Sequence, residues 1–262
     1  MMTPGFAKPR AELPWLPYPE TNRMFVINAH NFPSAEFSPA VNGKMPIAAW
    51  IPTRSQSADD LVGSNDGTLL NGASIVSDTD AGGTHAFSFD GVNDRVDTFN
   101  ISTACANAVS VSWWQRPRNP FNSTNDGFGS QNRAAFTQGI TPPAFGVMHF
   151  SNNNIFAGFE NSLGDFRVVV ANSSAIWDQT QFFHWCITAS ENGTTSLYVN
   201  GVLRGTRTGT RMVYPASVLS IGSNGRAFSG WIDDFRIWSE VINSTDVSDL
   251  YASGNGRGVD AS

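Results

Sequence analysis

Enzymatic chemistry needs side chains that trade protons or electrons at fixed separations, so the titratable residues come first. The chain of 262 residues has glutamates only at Glu12, Glu20, Glu36, Glu160, Glu191 and Glu240. A retaining glycoside hydrolase needs two carboxyls about 5 Å apart, most simply at alternating positions on one strand face. No two of the later glutamates are close enough in sequence to make that pair, and an aspartate pair assembled by folding is the remaining route. His30, His85, His149 and His184, with Cys105 and Cys186, fall in no recognised Cys/His nucleophile signature. Their scatter also lacks zinc-ligand spacing. The expectation is a non-enzymatic protein with no catalytic residues. Two cysteines are too few for a disulfide framework; buried free thiols are expected, with a Cys105–Cys186 bridge as the alternative.

Sugar recognition asks for other groups: a ring face on which sugar C–H groups stack, beside amides that take the hydroxyls. Adjacent strand positions point to opposite faces, so Trp113 and Trp114 cannot enter one core by ordinary alternation. Trp113 and Gln115 share one face, and the loop from Asn119 to Arg133 adds Asn122, Asn125 and Asp126. These five are the candidate ligand-binding residues. The competing reading is that the N-terminal arm or a neighbouring subunit covers Trp113.

The elements that must position such groups are strands. Only 15% of the residues are charged, while Gly, Asn, Ser and Thr abound, a composition of strands and turns rather than helices. Runs rich in β-branched and aromatic residues, separated by turn signals, are expected as strands. They include Ile47–Ile51, His85–Phe89, Asp94–Phe99, Val109–Gln115, Phe182–Ala189 and Gly230–Trp238. Asn200-Gly201 predicts a type I′ hairpin turn. One short helix is expected near the C-terminus, capped by Asn243 or Ser244, with Val247, Leu250 and Tyr251 on one face and Gly254 ending it.

Residues 1–45 read differently. They hold half of the 14 prolines, which suit central strands poorly, together with Phe6, Trp15, Leu16, Tyr18, Phe25 and Phe32. The expectation is an extended arm whose aromatic residues bind a partner or lie across the arm's own domain. A domain over 46–254 and a flexible tail over 255–262 complete the organisation. The net charge of −6 argues against nucleic-acid backbones and anionic membranes as partners. No apolar run approaches the roughly 18 residues of a membrane span. The prolines after Arg10 leave no apolar core for a secretory signal, so the chain is expected to stay where it is made unless lysis or an assembly carries it out.

Several segments, in order, resemble the laminin-G-like jelly rolls of the concanavalin A-like lectin/glucanase superfamily. They are the loop Asp60-Leu61-Val62-Gly63-Ser64-Asn65-Asp66-Gly67, the strand pair around Phe89-Asp90-Gly91-Val92-Asn93-Asp94, and Val109–Pro117. Phe182–Thr188 with Leu197–Gly201, and Gly230–Trp238 ahead of the terminal helix, complete the set. The resemblance implies an all-β, two-sheet antiparallel jelly-roll β-sandwich, with Trp114 in the place of a family tryptophan and His184 as a packed strand histidine. It also implies a structural calcium at Asp233, with Asp90 and Asp94 as neighbouring ligands. The alternative is a turn cap at Asp90 and backbone hydrogen bonds at Asp233, with no ion and no cofactor.

Three functions are then open, in order of preference. The first is a non-enzymatic virion structural protein of phage decoration or fibre type, located on the virion surface. It would be anchored to a capsid protein or to its own copies through the arm, since a Pro-rich leader before such a domain resembles proteins encoded near phage capsid genes. The second is an extracellular carbohydrate-binding module or lectin. The third is a glycan hydrolase, disfavoured because the glucanase strand motif of alternating Glu and Asp is absent.

Overall fold

The computed structural model describes residues 40–52, 57–77, 85–118, 133–139, 141–149, 154–171, 176, 178–222 and 225–252. The aromatic residues expected to anchor the arm lie outside them, as do the loop residues 119–132 and the C-terminal tail. The described strands form two antiparallel sheets packed face to face. In the first, the spatial order is β14 (Val202–Thr208), β13 (Thr194–Val199), β12 (Phe183–Ser190), β6 (Ala108–Pro117), β16 (Ser229–Trp238), β4 (Ala86–Asp90) and β3 (Ser74–Val76), with β1 (Ala48–Trp50) also on β16. In the second it is β10 (Gly164–Asp165), β9 (Asn154–Asn161), β8 (Ala144–His149), β7 (Arg133–Gln138), β15 (Leu219–Ile221), β5 (Arg95–Asp97) and β2 (Thr68–Leu70), with β11 (Val168–Ala171) on β9. The expected jelly roll is therefore the observed fold.

Period-two alternation builds the core between the sheets. Phe87 and Phe89 of β4, Trp185 and Ile187 of β12, and Ile232, Phe235 and Ile237 of β16 meet Phe145, Val147 and Phe159 from the second sheet. Strands β2, β3 and β7 do not stand out in the sequence. They are short or alanine-rich, and pairing with remote partners makes them strands. In the β13–β14 hairpin, Asn200 and Gly201 take φ of 52° and 74°, as a type I′ turn requires.

The single described helix, α1 (Ser244–Tyr251), lies on the outer face of the first sheet. Asn243 caps it: its side chain accepts from the Thr245 and Asp246 amides, and Asp246 reciprocates on the Asn243 amide. The helix ends in a left-handed Ala252, before the expected stop at Gly254. Val247 and Leu250 bury a second cluster with Cys186, Trp238, Ile242 and Val41. Residues of the expected arm contribute here. Asn42 Nδ2 donates to Asp246 Oδ1 and Asp249 Oδ2 at 2.9 and 2.8 Å, Lys44 Nζ to Asp246 Oδ2 at 2.7 Å, and Trp238 Nε1 to the Lys44 carbonyl at 3.2 Å. Residues 41–44 thus belong to the packed domain, upstream of the expected boundary at 46.

The Asp60 loop is explained by its own hydrogen bonds. The buried Asp60 carboxylate accepts from the Ala49, Val62 and Asn65 amides and from Asn65 Nδ2. This carboxylate staples the loop to β1, which accounts for the motif structurally.

Candidate functional site

Strand β6 decides where a ligand can sit. Its burial pattern shows both faces covered along most of its length. Trp113 points into the core, fully buried, stacked on Trp185 with centroids 6.1 Å apart and edge-on to Phe136 at 5.2 Å. Its Nε1 donates to Gln115 Oε1 at 2.9 Å, and the Gln115 amide lies 3.4 Å from His149 Nε2. Trp114 points the other way, beneath the helix, stacked on Tyr251 at 5.9 Å. The expectation that Trp113 and Gln115 bind a ligand is therefore corrected: both are sealed between the sheets, and the Gln115 amide serves the indole beside it. Alternation rightly separated the two tryptophans, but the helix covers the outer one and neither faces solvent. Asn122, Asn125 and Asp126, the other ligand candidates, lie outside the described residues.

Beyond the end of the helix, the same outer face carries a row that the sequence reading missed. Register places Arg116 of β6 opposite Trp231 of β16, Trp231 opposite Ser88 of β4, and Ser88 opposite Ser74 of β3. Phe182, just before β12, flanks Arg116 on the other side. The guanidinium of Arg116 lies 4.3 Å from the Trp231 ring centroid and 5.2 Å from that of Phe182. Arg118 places a second guanidinium 4.4 Å from the Trp231 ring and donates from Nη2 to Ser88 Oγ at 3.0 Å. Trp231, Arg116 and Phe182 are half-buried and Arg118 is exposed. Gly230 lets the row form. Its φ is 149°, and a Cβ there would stand 2.3 Å from the Arg116 carbonyl oxygen. Arg116 and Trp231 are far apart in the chain, and only the β6–β16 register brings them together.

The acidic residues nearby are largely engaged with the protein. Asp90 Oδ1 accepts from the Val92 amide and Asp94 Oδ2 from the Asp90 amide. Burial is the main cause pushing the Asp94 carboxyl upward, and the Arg118 charge opposes it. Asp178 caps its own turn through Thr180, whose hydrogen bonds hold that carboxyl below the usual range.

The aspartates expected to share a calcium are not assembled into one site. Asp90 is opposite Ser229, whereas Asp233 is opposite Trp114. Four residues of strand, about 13 Å, separate these positions. Asp233 is fully buried at a bulge, where Asp234 and Phe235 together face Trp113 and Asp234 takes a φ of 48°. Such a bulge re-aims side chains: Asp234 grips Arg236 through both oxygens, and Asp233 Oδ1 accepts the Asp234 amide at 2.7 Å. Among the described residues, no group of three or more His, Cys, Asp or Glu could hold a metal ion.

Ser112 Oγ and His184 Nε2 are 2.8 Å apart, a nucleophile–base spacing. Both are buried beneath the helix, and burial, reinforced by the Arg236 charge, pushes the His184 pKa down to about 3. This is a packing pair, as the strand position of His184 suggested. Cys105 and Cys186 are both free and buried. They belong to the main core and the helix-side cluster respectively, and burial pushes the Cys105 thiol up to about 12.

On the opposite sheet, register aligns Thr68, Asp97, Ser220, Thr137, Gly146 and Gly158 across the outer face. Ser220 and Thr137, in the middle of this strip, line a cleft of about 390 Å³ beside Pro142, Pro143 and Pro215. It offers hydroxyls, but no aromatic ring lines it. Ring and donors together occur at the Trp231 row.

The fold is that of a lectin-like β-sandwich. The chain belongs to the concanavalin A-like lectin/glucanases superfamily, whose laminin G-type model matches residues 89–248, more than half of the chain. No curated protein has a significantly similar sequence. Similar solved structures include the botulinum neurotoxin serotype D binding domain, with 17% identity over 80% of this chain and 51% of that one, and a TM-score of 0.61. The binding domain of Paraclostridial Mosquitocidal Protein 1 gives 16% identity over 80% and 52%, and a TM-score of 0.63. This chain spans about half the length of those toxin domains. Domain 4 of AbnA, a GH43 extracellular arabinanase from Geobacillus stearothermophilus solved with arabinotriose, gives 18% identity over 79% and 98%, with a TM-score of 0.53.

Proposed function

We propose that this protein is a non-enzymatic glycan-recognition module that binds sugar on the outer face of the helix-bearing sheet, at Trp231, Arg116, Arg118 and Phe182. The observation that carries the reading is a half-exposed indole held between strands, with two guanidiniums within 4.4 Å of its centroid. An indole edge and face stack against sugar C–H groups, guanidinium N–H groups donate to ring hydroxyls, and Ser88 and Ser74 extend the polar row. The solved complex of the arabinanase domain with arabinotriose supports the same kind of ligand on this fold. Glu160 and Asp165, which pair in register across β9 and β10, both hold Arg167, at 2.9 and 2.8 Å. That arrangement supports a structural use of these carboxylates over a hydrolytic one. Isothermal titration of the full chain with glycan-array hits tests the reading: Trp231→Ala is expected to weaken binding at least tenfold while the circular dichroism spectrum is kept. Undiminished binding by this variant refutes the site.

A second proposal concerns where the module works. We infer that it is displayed on a virion surface and attached, to a capsid protein or to its own copies, through the segment before residue 40. Support comes from the proline and aromatic content of that segment, and from the hydrogen bonds that fix Asn42 and Lys44 to helix α1. Those bonds give the arm a defined point of departure. Light scattering with size exclusion on the full chain and on a chain starting at residue 40 tests self-assembly, and co-sedimentation with capsids tests the capsid partner. Monomers in both cases, with no co-sedimentation, refute the proposal.

A further inference from the structure

We propose that the free edge of β14 docks an extended acidic segment of a partner protein, which adds to the first sheet as a further strand. Among the described residues β14 pairs only with β13 and ends its sheet. All of its residues except Gly205 are exposed. An edge strand presents a row of unpaired N–H and C=O groups, a template on which another strand can form. The edge is separate from the Trp231 row, because β13, β12 and β6 lie between β14 and β16. The inference therefore stands apart from the glycan reading.

Charge decides which strand fits. In a chain with 22 acidic residues and a net charge of −6, the stretch from Asn192 to Ile232 holds no Asp or Glu but carries Arg204, Arg207, Arg211 and Arg226. Arg204 and Arg207 lie on β14 itself, and Arg211 follows its end. Arg207 Nη2 donates to the Asp165 carbonyl oxygen at 3.1 Å. The Asp165 carboxylate, with Glu160, is held by Arg167, and Glu191 Oε2 accepts the Met212 amide at 2.9 Å. A second copy of this chain fits the edge poorly, since β14 laid against β14 opposes arginine-bearing strands and like charges across a pair destabilise it. The bulge works in the same direction: Tyr198 faces Leu203 and Leu197 faces Gly205, which leaves Arg204 with no partner residue on β13. Such bulges and edge charges deter indiscriminate pairing. A polyanionic chain satisfies the guanidiniums but leaves the ladder groups to water. An acidic strand serves both, and the exposed Val202 and Leu203 suit apolar residues at its intervening positions.

The test titrates the full-length protein, by fluorescence anisotropy, with labelled peptides matched in length to β14. One alternates Glu and Val, the second replaces Glu by Lys, and the third is the acidic peptide N-methylated at every amide. The acidic peptide is expected to bind at least about tenfold tighter than the lysine peptide at about 50 mM salt, with the gap narrowing towards about 500 mM. N-methylation is expected to weaken it at least about tenfold, the scale of a few lost backbone hydrogen bonds. Hydrogen exchange of the β14 amides is expected to slow when the acidic peptide is bound. The double variant Arg204→Glu, Arg207→Glu, with an unchanged circular dichroism spectrum, is expected to reverse the preference. Absence of binding by the acidic peptide, or binding without slowed exchange in β14, overturns the proposal. Equal affinity for the lysine peptide also overturns it, and equal affinity for the methylated peptide does so in favour of a polyanion site.

Discussion

Replacing Trp113 by alanine separates an interior tryptophan from a ligand-facing one, because the two placements differ by several kcal/mol. Trp113 is fully buried, packed on Trp185, Phe136 and Phe235. Truncating a buried tryptophan to alanine costs about 3–5 kcal/mol through lost transfer energy and the cavity left behind. A second cost follows from the hydrogen bond. Gln115 Oε1 loses the indole donor at 2.9 Å in a site closed to water, which adds about 1 kcal/mol or more. The expected total, about 4–6 kcal/mol, is a large share of the 5–15 kcal/mol that typically holds a domain folded. Equilibrium urea unfolding followed by far-ultraviolet circular dichroism measures it. With a slope of about 3 kcal/mol/M, the midpoint is expected to fall by roughly 1.5 M. Trp113→Phe keeps most of the packing but drops the N–H, so it isolates the hydrogen bond and is expected to cost about 1–3 kcal/mol. A loss below about 1 kcal/mol for the alanine variant, typical of an exposed position, refutes the interior placement and returns Trp113 to the surface.

Three further outcomes are expected. Gly230→Ala puts a Cβ 2.3 Å from the Arg116 carbonyl at a positive φ; it is expected to destabilise the chain by about 2 kcal/mol or more and to weaken glycan binding by shifting Trp231, both read by urea unfolding and calorimetry. Lys44, Asn42 and the Asn243 amide hold the Asp246 carboxyl below its usual range despite burial. A depressed acid stabilises the fold above its unfolded pKa near 3.9 and loses that contribution as pH falls further. Asp246→Asn should therefore lower stability at pH 7 by about 1–3 kcal/mol and flatten the decline below pH 4 in a pH series of midpoints. Burial lowers His149 and His184 to about 3, whereas the unfolded chain takes up their protons near pH 6.5. Each then costs about 1.4 kcal/mol of stability per pH unit on going from pH 6.5 towards 3, and His184→Gln is expected to reduce that slope.

Local chemistry made the secondary structure legible. Asn200-Gly201 specified its turn because few residues accept positive φ in succession, and Asn243 announced the helix because a short polar side chain reaches the free amides of the first turn. Alternating apolar residues in β4, β12 and β16 marked strands with one face in a core, and the ordered motifs then pointed to the jelly roll. These signals act over a few residues, so a linear reading captures them. The Asp60 motif was equally visible, though only the folded loop explains it as an acceptor for amides of β1 and its own turn.

The site was not legible in the same way, for a reason that β6 makes plain. Alternation states that Trp113 and Trp114 part company; it does not state which side another sheet will cover or where the helix will end. Inter-sheet packing took Trp113 and Gln115 inside, and helix α1 took Trp114 and His184 from solvent. One row further along, beyond the helix, the β6–β16–β4 register set Arg116, Arg118, Trp231 and Ser88 together from three remote segments. The amino-acid sequence by itself determined which residues form strands, turns and the cap, because those choices rest on local sterics and hydrogen bonds. Tertiary structure alone decided which face is buried and which side chains meet on the open one, because burial and cross-strand register depend on partners far away in the chain.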